Sequence, residues 1–169
     1  MILNLELTDE SLDEAIRKVE QYSKDFKDKT ARFTDEVASR VKTSAVDKLA
    51  GHIETAETIQ SVKVQHRFGS YTARVLAGGA AIWLEFGTGV VANSVGVGAF
   101  PHPKAAELGM MGIGTYGEGH GADPDGWWYY DETGRRRHTY GIPATMFMYH
   151  SAMEVRDMIP GIARRIYGT

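Results

Sequence analysis

With no cysteine in the chain, any chemistry must come from its carboxylates, imidazoles, arginines and glycine-rich turns. Residues 112–117, "GIGTYG", match the G-x-G-x-x-G pattern, which holds a pyrophosphate only where a strand leads in and a helix opens at the third glycine. The flanks "AELGMM" and "EGHGADPDG" offer no such helix, so no dinucleotide and no other cofactor is expected. The histidines His52, His66, His102, His120, His138 and His150 show no H-x-x-x-H or H-E-x-x-H spacing. His102, His120, Asp123 and Asp125 meet only if their segment folds back. Histidines that ligate nothing are the commoner outcome, and no metal is expected. Glu85, with Trp83 and Phe86 close by, is the candidate general acid or base on the strength of its apolar neighbours. A single carboxylate more often makes a structural hydrogen bond. There is neither a G-x-S-x-G elbow nor a thiol, so no catalytic residue is assigned.

The densest cluster of interaction-prone side chains is "GWWYYDETGRRRHTYG", residues 126–141. "DETG" has the make-up of a hairpin turn closed by a glycine at positive φ, pairing Trp127–Tyr130 with Arg135–His138. Alternation puts Trp127 and Tyr129 on one face, Trp128 and Tyr130 on the other. Both faces are then aromatic, and Arg135, Arg136 and Arg137 can lie over the rings. Trp, Tyr and Arg are the residues that dominate protein contacts energetically, so these seven side chains are read as an interface with another subunit. The plainer alternative tucks the hairpin into its own glycine-rich surroundings. Single-stranded nucleic acid is the rival ligand, because bases stack on aromatic platforms beside basic side chains. Against it stand a formal charge of -3 and the isolation of one arginine triplet.

Periodicity indicates which elements carry these residues. Ile2–Leu7 alternates as a short half-buried strand, and Thr8 is a good N-cap followed by Asp9 and Glu10. Leu12, Ile16, Val19, Phe26, Phe33, Val37, Val41, Ala45 and Leu49 keep one helical stripe, with no Gly or Pro before Gly51. A rod of that length reaches about 60 Å, more than the remaining chain can cover. The expectation is a break near residues 27–30 or burial of part of the stripe by another subunit, with two ordinary helices as the simpler alternative. A hairpin follows: residues 60–68, a turn at Gly69 and Ser70, then Tyr71–Leu76. Residues 80–86 suit one or two helical turns, anchored by Phe86 beside Trp83, with Gly87 allowing a sharp exit and Thr88 bonding backbone amides at the turn.

Residues 88–140 read as an insertion arm that carries the aromatic hairpin and more than half of the 19 glycines. The terminal helix places Phe147, Ala152, Val155, Ile159, Ile162 and Ile166 on one side, with Phe147 packing it onto the sheet. Pro160 and Gly161 should kink or end its first section. The whole, residues 1–169, is expected to be one α+β domain: strand, long helix, small antiparallel sheet built from hairpins, glycine-rich arm, C-terminal helix. The acidic opening lacks the basic flank and apolar block of a signal peptide, and no run of about 18 apolar residues spans a bilayer, so a cytoplasmic protein without membrane contact is expected.

Taken in order, "AIWLEFGTG", "GWWYYDETGRRRHTYG" and "GIPATMFMYHSAMEV" resemble the phage tail-component family, the head-to-tail joining or tail-completion (neck) proteins of long-tailed phages and prophages. Glu85, Phe86, Gly87 and Thr88 fall on the family's central motif, and Pro143, Phe147 and Met148 on its terminal one. The resemblance implies a non-enzymatic structural protein that self-associates into a ring between capsid portal and tail tube. Its implied partners are further copies, portal-side head-completion proteins and tail-tube or terminator proteins. DNA is implied only as a passenger through the ring. The implied location is the bacterial cytoplasm during assembly and the virion head–tail junction afterwards.

Overall fold

The chain is an α+β protein whose computed structural model describes residues 8–65, 70–88, 102–104, 107–108, 125–142 and 144–168. The expected strand at residues 2–7, the turn glycine Gly69, the G-x-G-x-x-G stretch, His120, Asp123 and Pro143 lie outside the described residues.

Helix α1 (Asp9–Lys48) starts where Thr8 Oγ1 accepts the Ser11 N–H at 3.3 Å, and it continues unbroken for 40 residues. No break occurs at residues 27–30. Ion pairs one turn apart join Glu14 to Lys18, Asp25 to Lys29 and Glu36 to Arg40 at 2.5, 2.9 and 2.8 Å, on both sides of the expected weak point. Thr30 and Thr34 spend their hydroxyls on the carbonyls of Phe26 and Thr30, at 2.7 and 2.8 Å, which keeps these β-branched residues within the helix.

The C-terminal half of α1 is the floor of the fold. After the short helix α2 (Ile53–Glu57), strands β1 (Gln60–Gln65) and β2 (Tyr71–Leu76) pair antiparallel, from Gln60↔Leu76 to Gln65↔Tyr71. Val75 packs on the core and Lys63 reaches Asp35 of α1 at 2.6 Å, so the face holding Ser61, Lys63, Ala73 and Val75 turns toward α1. Val62, which alternation groups with the apolar side of β1, therefore lies outward beside exposed Leu76. Strand β2 decides which face is inward, and the register obliges β1 to follow.

Helix α3 (Ala81–Phe86) ends at Gly87, at φ 74°. Strands β3 (Trp127–Tyr130) and β4 (Arg136–Thr139) form a second, separate two-stranded sheet. Helix α4 (Phe147–Tyr167) runs antiparallel to α1: Phe147 clusters with Ala45 and Leu49, while Tyr167 packs against Phe26 and Phe33 with ring centroids 5.8 and 5.9 Å apart. Of the two outcomes expected at Pro160 and Gly161, a kink or an end, the end does not occur: α4 runs through both. The Pro160 ring lies on the exposed side, and Arg156, whose carbonyl loses its donor, is exposed as well, while Val155, Ile162 and Ile166 stay buried on either side. Ser44 Oγ and Lys48 Nζ both bond Glu154 Oε2, at 2.8 and 2.6 Å, and Arg165 pairs with Glu36, tying α4 to α1 at both ends. The central core joins Ala45, Leu49, Ile59, Ala81, Leu84 and Phe147.

Candidate functional site

Helix α3 is anchored by Leu84 and Ala81, both buried, rather than by Phe86 beside Trp83. Trp83 faces outward and half-buried Phe86 lies against the His102 ring, centroids 4.4 Å apart. In six residues periodicity cannot tell a buried face at 83 and 86 from the one observed at 81, 84 and 85.

That phase aims Glu85 into the interior, where it is 7 % exposed. Its Oε2 accepts the Met148 N–H at 2.8 Å and its Oε1 the Tyr149 N–H at 2.9 Å, two of the unpaired amides that open α4. The residue before α4, Met146, sits in the left-handed region at φ 52° and offers no side-chain cap. A carboxylate from α3, more than 60 positions earlier, supplies what the local sequence lacks, and negative charge at a helix N-terminus is favourable. Thr145 N–H and Oγ1 both donate to the Leu84 carbonyl at 2.8 Å, so the chain entering α4 is strapped to α3 as well.

His102 completes this buried centre. Lys104 N–H donates to its Nδ1 at 3.0 Å, so the ring proton resides on Nε2 and is given to Glu85 Oε1 at 2.9 Å. The imidazole also meets the Tyr149 ring edge-on, at 5.2 Å between centroids. Sequence reasoning weighed His102 only as a candidate metal ligand, with no metal expected, and missed this role, because its partner is 17 residues away in another element. Asp125 is exposed, His102 is turned into the Glu85 centre, and no three His, Asp or Glu among the described residues stand close enough to hold a metal ion.

Thr88 connects this centre to the arm. Its N–H donates to the Ile142 carbonyl at 2.7 Å and its hydroxyl accepts the Ile142 N–H at 2.8 Å. Thr88 thus bonds a backbone amide as expected, but one 54 residues away rather than at its own turn.

The aromatic hairpin forms one residue out of the expected register: Trp127–Tyr130 pairs with Arg136–Thr139 rather than with Arg135–His138, because Arg135 is taken into the turn, so Trp128 stands opposite His138 and Tyr130 opposite Arg136. Its turn is built on Asp131. The Asp131 N–H donates to the Arg135 carbonyl, the Gly134 N–H to the Asp131 carbonyl, both at 2.9 Å, and Gly134 takes φ 75°. The Thr133 hydroxyl, the Arg135 N–H and the Arg137 guanidinium, in that order, hold the Asp131 carboxyl down to about 2. On one face the Arg136 guanidinium lies 4.4 Å from the Trp128 ring centroid, and His138 meets the same indole edge-on at 4.8 Å. On the other, half-buried Trp127 lines a concavity with Thr88, Thr139, Gly141 and Ile142. Trp128 is 57 % and Tyr130 73 % exposed, and Tyr129, Arg135, Arg136 and Arg137 also face solvent.

A second apolar surface lies at the far end of the molecule. Helix α4 ends at Tyr167, over Phe26, and the stripe of α1 continues beyond it. Ile16 is 55 % and Phe26 50 % exposed, with Leu12, Val19 and Tyr22 similarly open. None of the described helices is long and apolar enough to cross a membrane.

Fold and surface together define a small α+β protein that shows solvent two apolar faces at opposite ends. Compared with protein-family models, with curated proteins and with solved structures, the chain matches none.

Proposed function

We propose that this chain is a virion-assembly protein of the head-to-tail joining kind. It self-associates into a ring, through which DNA passes, and docks on portal-side and tail-side proteins of a long-tailed phage. The observation that carries the reading is the exposure of Leu12, Ile16, Val19, Tyr22 and Phe26 on one arm and Trp128, Tyr129 and Tyr130 on another. Contiguous apolar surface of this kind on a folded chain marks sites that other macromolecules cover. The resemblance of its central and terminal motifs to the tail-component family sets the direction, and their physical union through Glu85, Thr88 and Thr145 supports treating them as one unit. Assembly takes place in the bacterial cytoplasm, and the finished ring sits at the head–tail junction.

Single-stranded nucleic acid is the weaker reading. Arg136 already occupies a face of Trp128 that a base needs, and Arg137 is committed to Asp131 at 3.0 Å. Light scattering after chromatography, over a range of concentrations and with portal-side or tail-tube proteins added, tests the proposal. Assembly, alone or on mixing, is the expected result. A strict monomer with no affinity for any virion component overturns it.

A further inference from the structure

The two apolar surfaces complement one another in charge, and their placement prevents one copy from joining them. In the first two turns of α1, Asp9, Glu10 and Asp13 are exposed and form no ion pair among the described residues; only Glu14 does, with Lys18. On the hairpin, Arg135 and Arg136 are exposed cations without a carboxylate partner among the described residues, whereas Arg137 is paired with Asp131. An acid-tipped apolar helix on one side thus faces an arginine-tipped aromatic ribbon on the other.

Within one copy these surfaces are far apart. The hairpin joins the body at Gly141 and Ile142, beside Thr88 and the start of α4, while the open stripe of α1 begins at the other end of α4, beside Tyr167. Twenty helical steps separate the ends of α4, about 30 Å. A hairpin with strands of four residues reaches about 22 Å from its base even with half of its turn included, short of the near end of the stripe. The open stripe also continues, residue for residue, the line on α1 that α4 covers from Phe26 onward. Whatever covers the exposed part extends an interface already present in the fold.

We propose that the exposed N-terminal half of α1, from Leu12 to Phe26, is the docking site for the aromatic hairpin of a second copy of this chain. Trp128 and Tyr130 lie on the stripe, and Arg135 and Arg136 reach Asp9 and Asp13. The contact joins two different surfaces head to tail, so every open assembly keeps one donor and one acceptor surface free, at its two ends, until the chain of contacts closes. The inference rests on the self-association reading above and names the contact that carries it.

The absence of any native cysteine makes the test direct, since every disulfide is an engineered one. Ile16→Cys and Tyr130→Cys, both at exposed positions, are prepared separately, then mixed and mildly oxidised. The expected result is a disulfide-linked heterodimer from the mixture and little linkage from either protein alone. Linkage of Ile16→Cys to itself, or of Tyr130→Cys to itself, overturns the proposal in favour of a symmetric contact. No linkage in a protein that light scattering shows to be oligomeric overturns the contact while leaving self-association standing; a strict monomer overturns both. As a second arm, Arg135→Glu with Arg136→Glu should weaken association by about tenfold or more, because like charges then face one another. Adding Asp9→Lys and Asp13→Lys to the same chain should restore it. Unchanged association of the arginine variant, or no restoration, counts against the pairing.

Discussion

Replacing Glu85 by Gln should destabilise the protein by about 2–4 kcal/mol, out of proportion to a change of one atom. The amide oxygen can take over Oε1, which serves both Tyr149 N–H and His102 Nε2, but the amide nitrogen must then confront Met148 N–H donor to donor at what is now 2.8 Å. Flipping the amide saves one bond and loses two. A hydrogen bond to a charged group is worth about 1.5–3 kcal/mol and a buried donor left unpaired costs about 1–3 kcal/mol; for one lost bond the two overlap rather than add, and the donor–donor contact puts the total toward the upper part of that span. For a domain of this size each kcal/mol moves the melting temperature by about 2–4 °C, so a drop of about 4–16 °C is expected. Urea unfolding followed by far-UV circular dichroism gives the free energy, with the slope unchanged if only the native state is affected. Glu85→Ala should cost more, since it strands all three donors and opens a cavity; His102→Ala should cost less, since the two helix amides keep their acceptor. A Glu85→Gln protein within about 0.5 kcal/mol of wild type, the ordinary range for surface changes, refutes the argument that this carboxylate holds the start of α4.

Three further outcomes follow from the same geometry. Phe147→Ala empties a fully buried position at the meeting of α1, α3 and α4 and should cost about 3–5 kcal/mol in urea unfolding. Gly126→Ala places a Cβ 2.3 Å from the Thr139 carbonyl oxygen at φ 72°, so the base of the hairpin should open. NMR should show loss of the Trp128–His138 contact with the rest of the spectrum intact. The Asp131 carboxyl, held at about 2 against an ordinary 3.8, stabilises the turn at every pH above its ordinary value, and that contribution is lost only as pH falls from 3.8 through about 2. Side-chain chemical shifts of Asp131 followed through acid titration check this, with a midpoint near the ordinary value as the contrary result.

Features set by neighbours in sequence were legible in advance. Thr8 caps α1, β1 and β2 pair as a hairpin, Gly87 and Gly134 take positive φ, and the arginine–indole stack forms between adjacent strands. What escaped prediction depends on partners chosen by tertiary structure. Nothing near Met148 announces that its amide will be capped from residue 85, nor near Thr88 that its partner is Ile142. The exit from α3 was read correctly at Gly87 and wrongly at Phe86, since a backbone requirement is local whereas the phase of a six-residue helix is set by what it packs on. Pro160 and the 27–30 region were overweighted for a related reason. A proline on the solvent side of a helix pinned by Val155, Ile162 and Ile166 costs one bond at an exposed position and disturbs no buried contact, and a stretch stitched by ion pairs one turn apart does not need apolar cover to stay helical.

The Thr88–Ile142 pair gives the arrangement its logic. Two backbone-directed bonds of 2.7 and 2.8 Å bring the departing and returning ends of the arm together beside Glu85, the residue that starts α4. The core cluster of α1, α3 and α4 is therefore complete without any side chain from β3 or β4, and the clasp closes the arm at its neck whatever lies beyond. Ordering a long loop costs free energy that grows only slowly with its length once its ends are fixed, so the arm can carry exposed tryptophan and tyrosine without drawing on the packing that holds the domain. At the opposite end α1 runs past α4 for some 17 residues on helix propensity and short-range ion pairs alone, again with no demand on the core. Both surfaces are thus appended to a body whose core cluster takes no side chain from them, and most of their own apolar side chains stay exposed. Apolar side chains kept in water at that cost are best explained by what they contact after folding is complete.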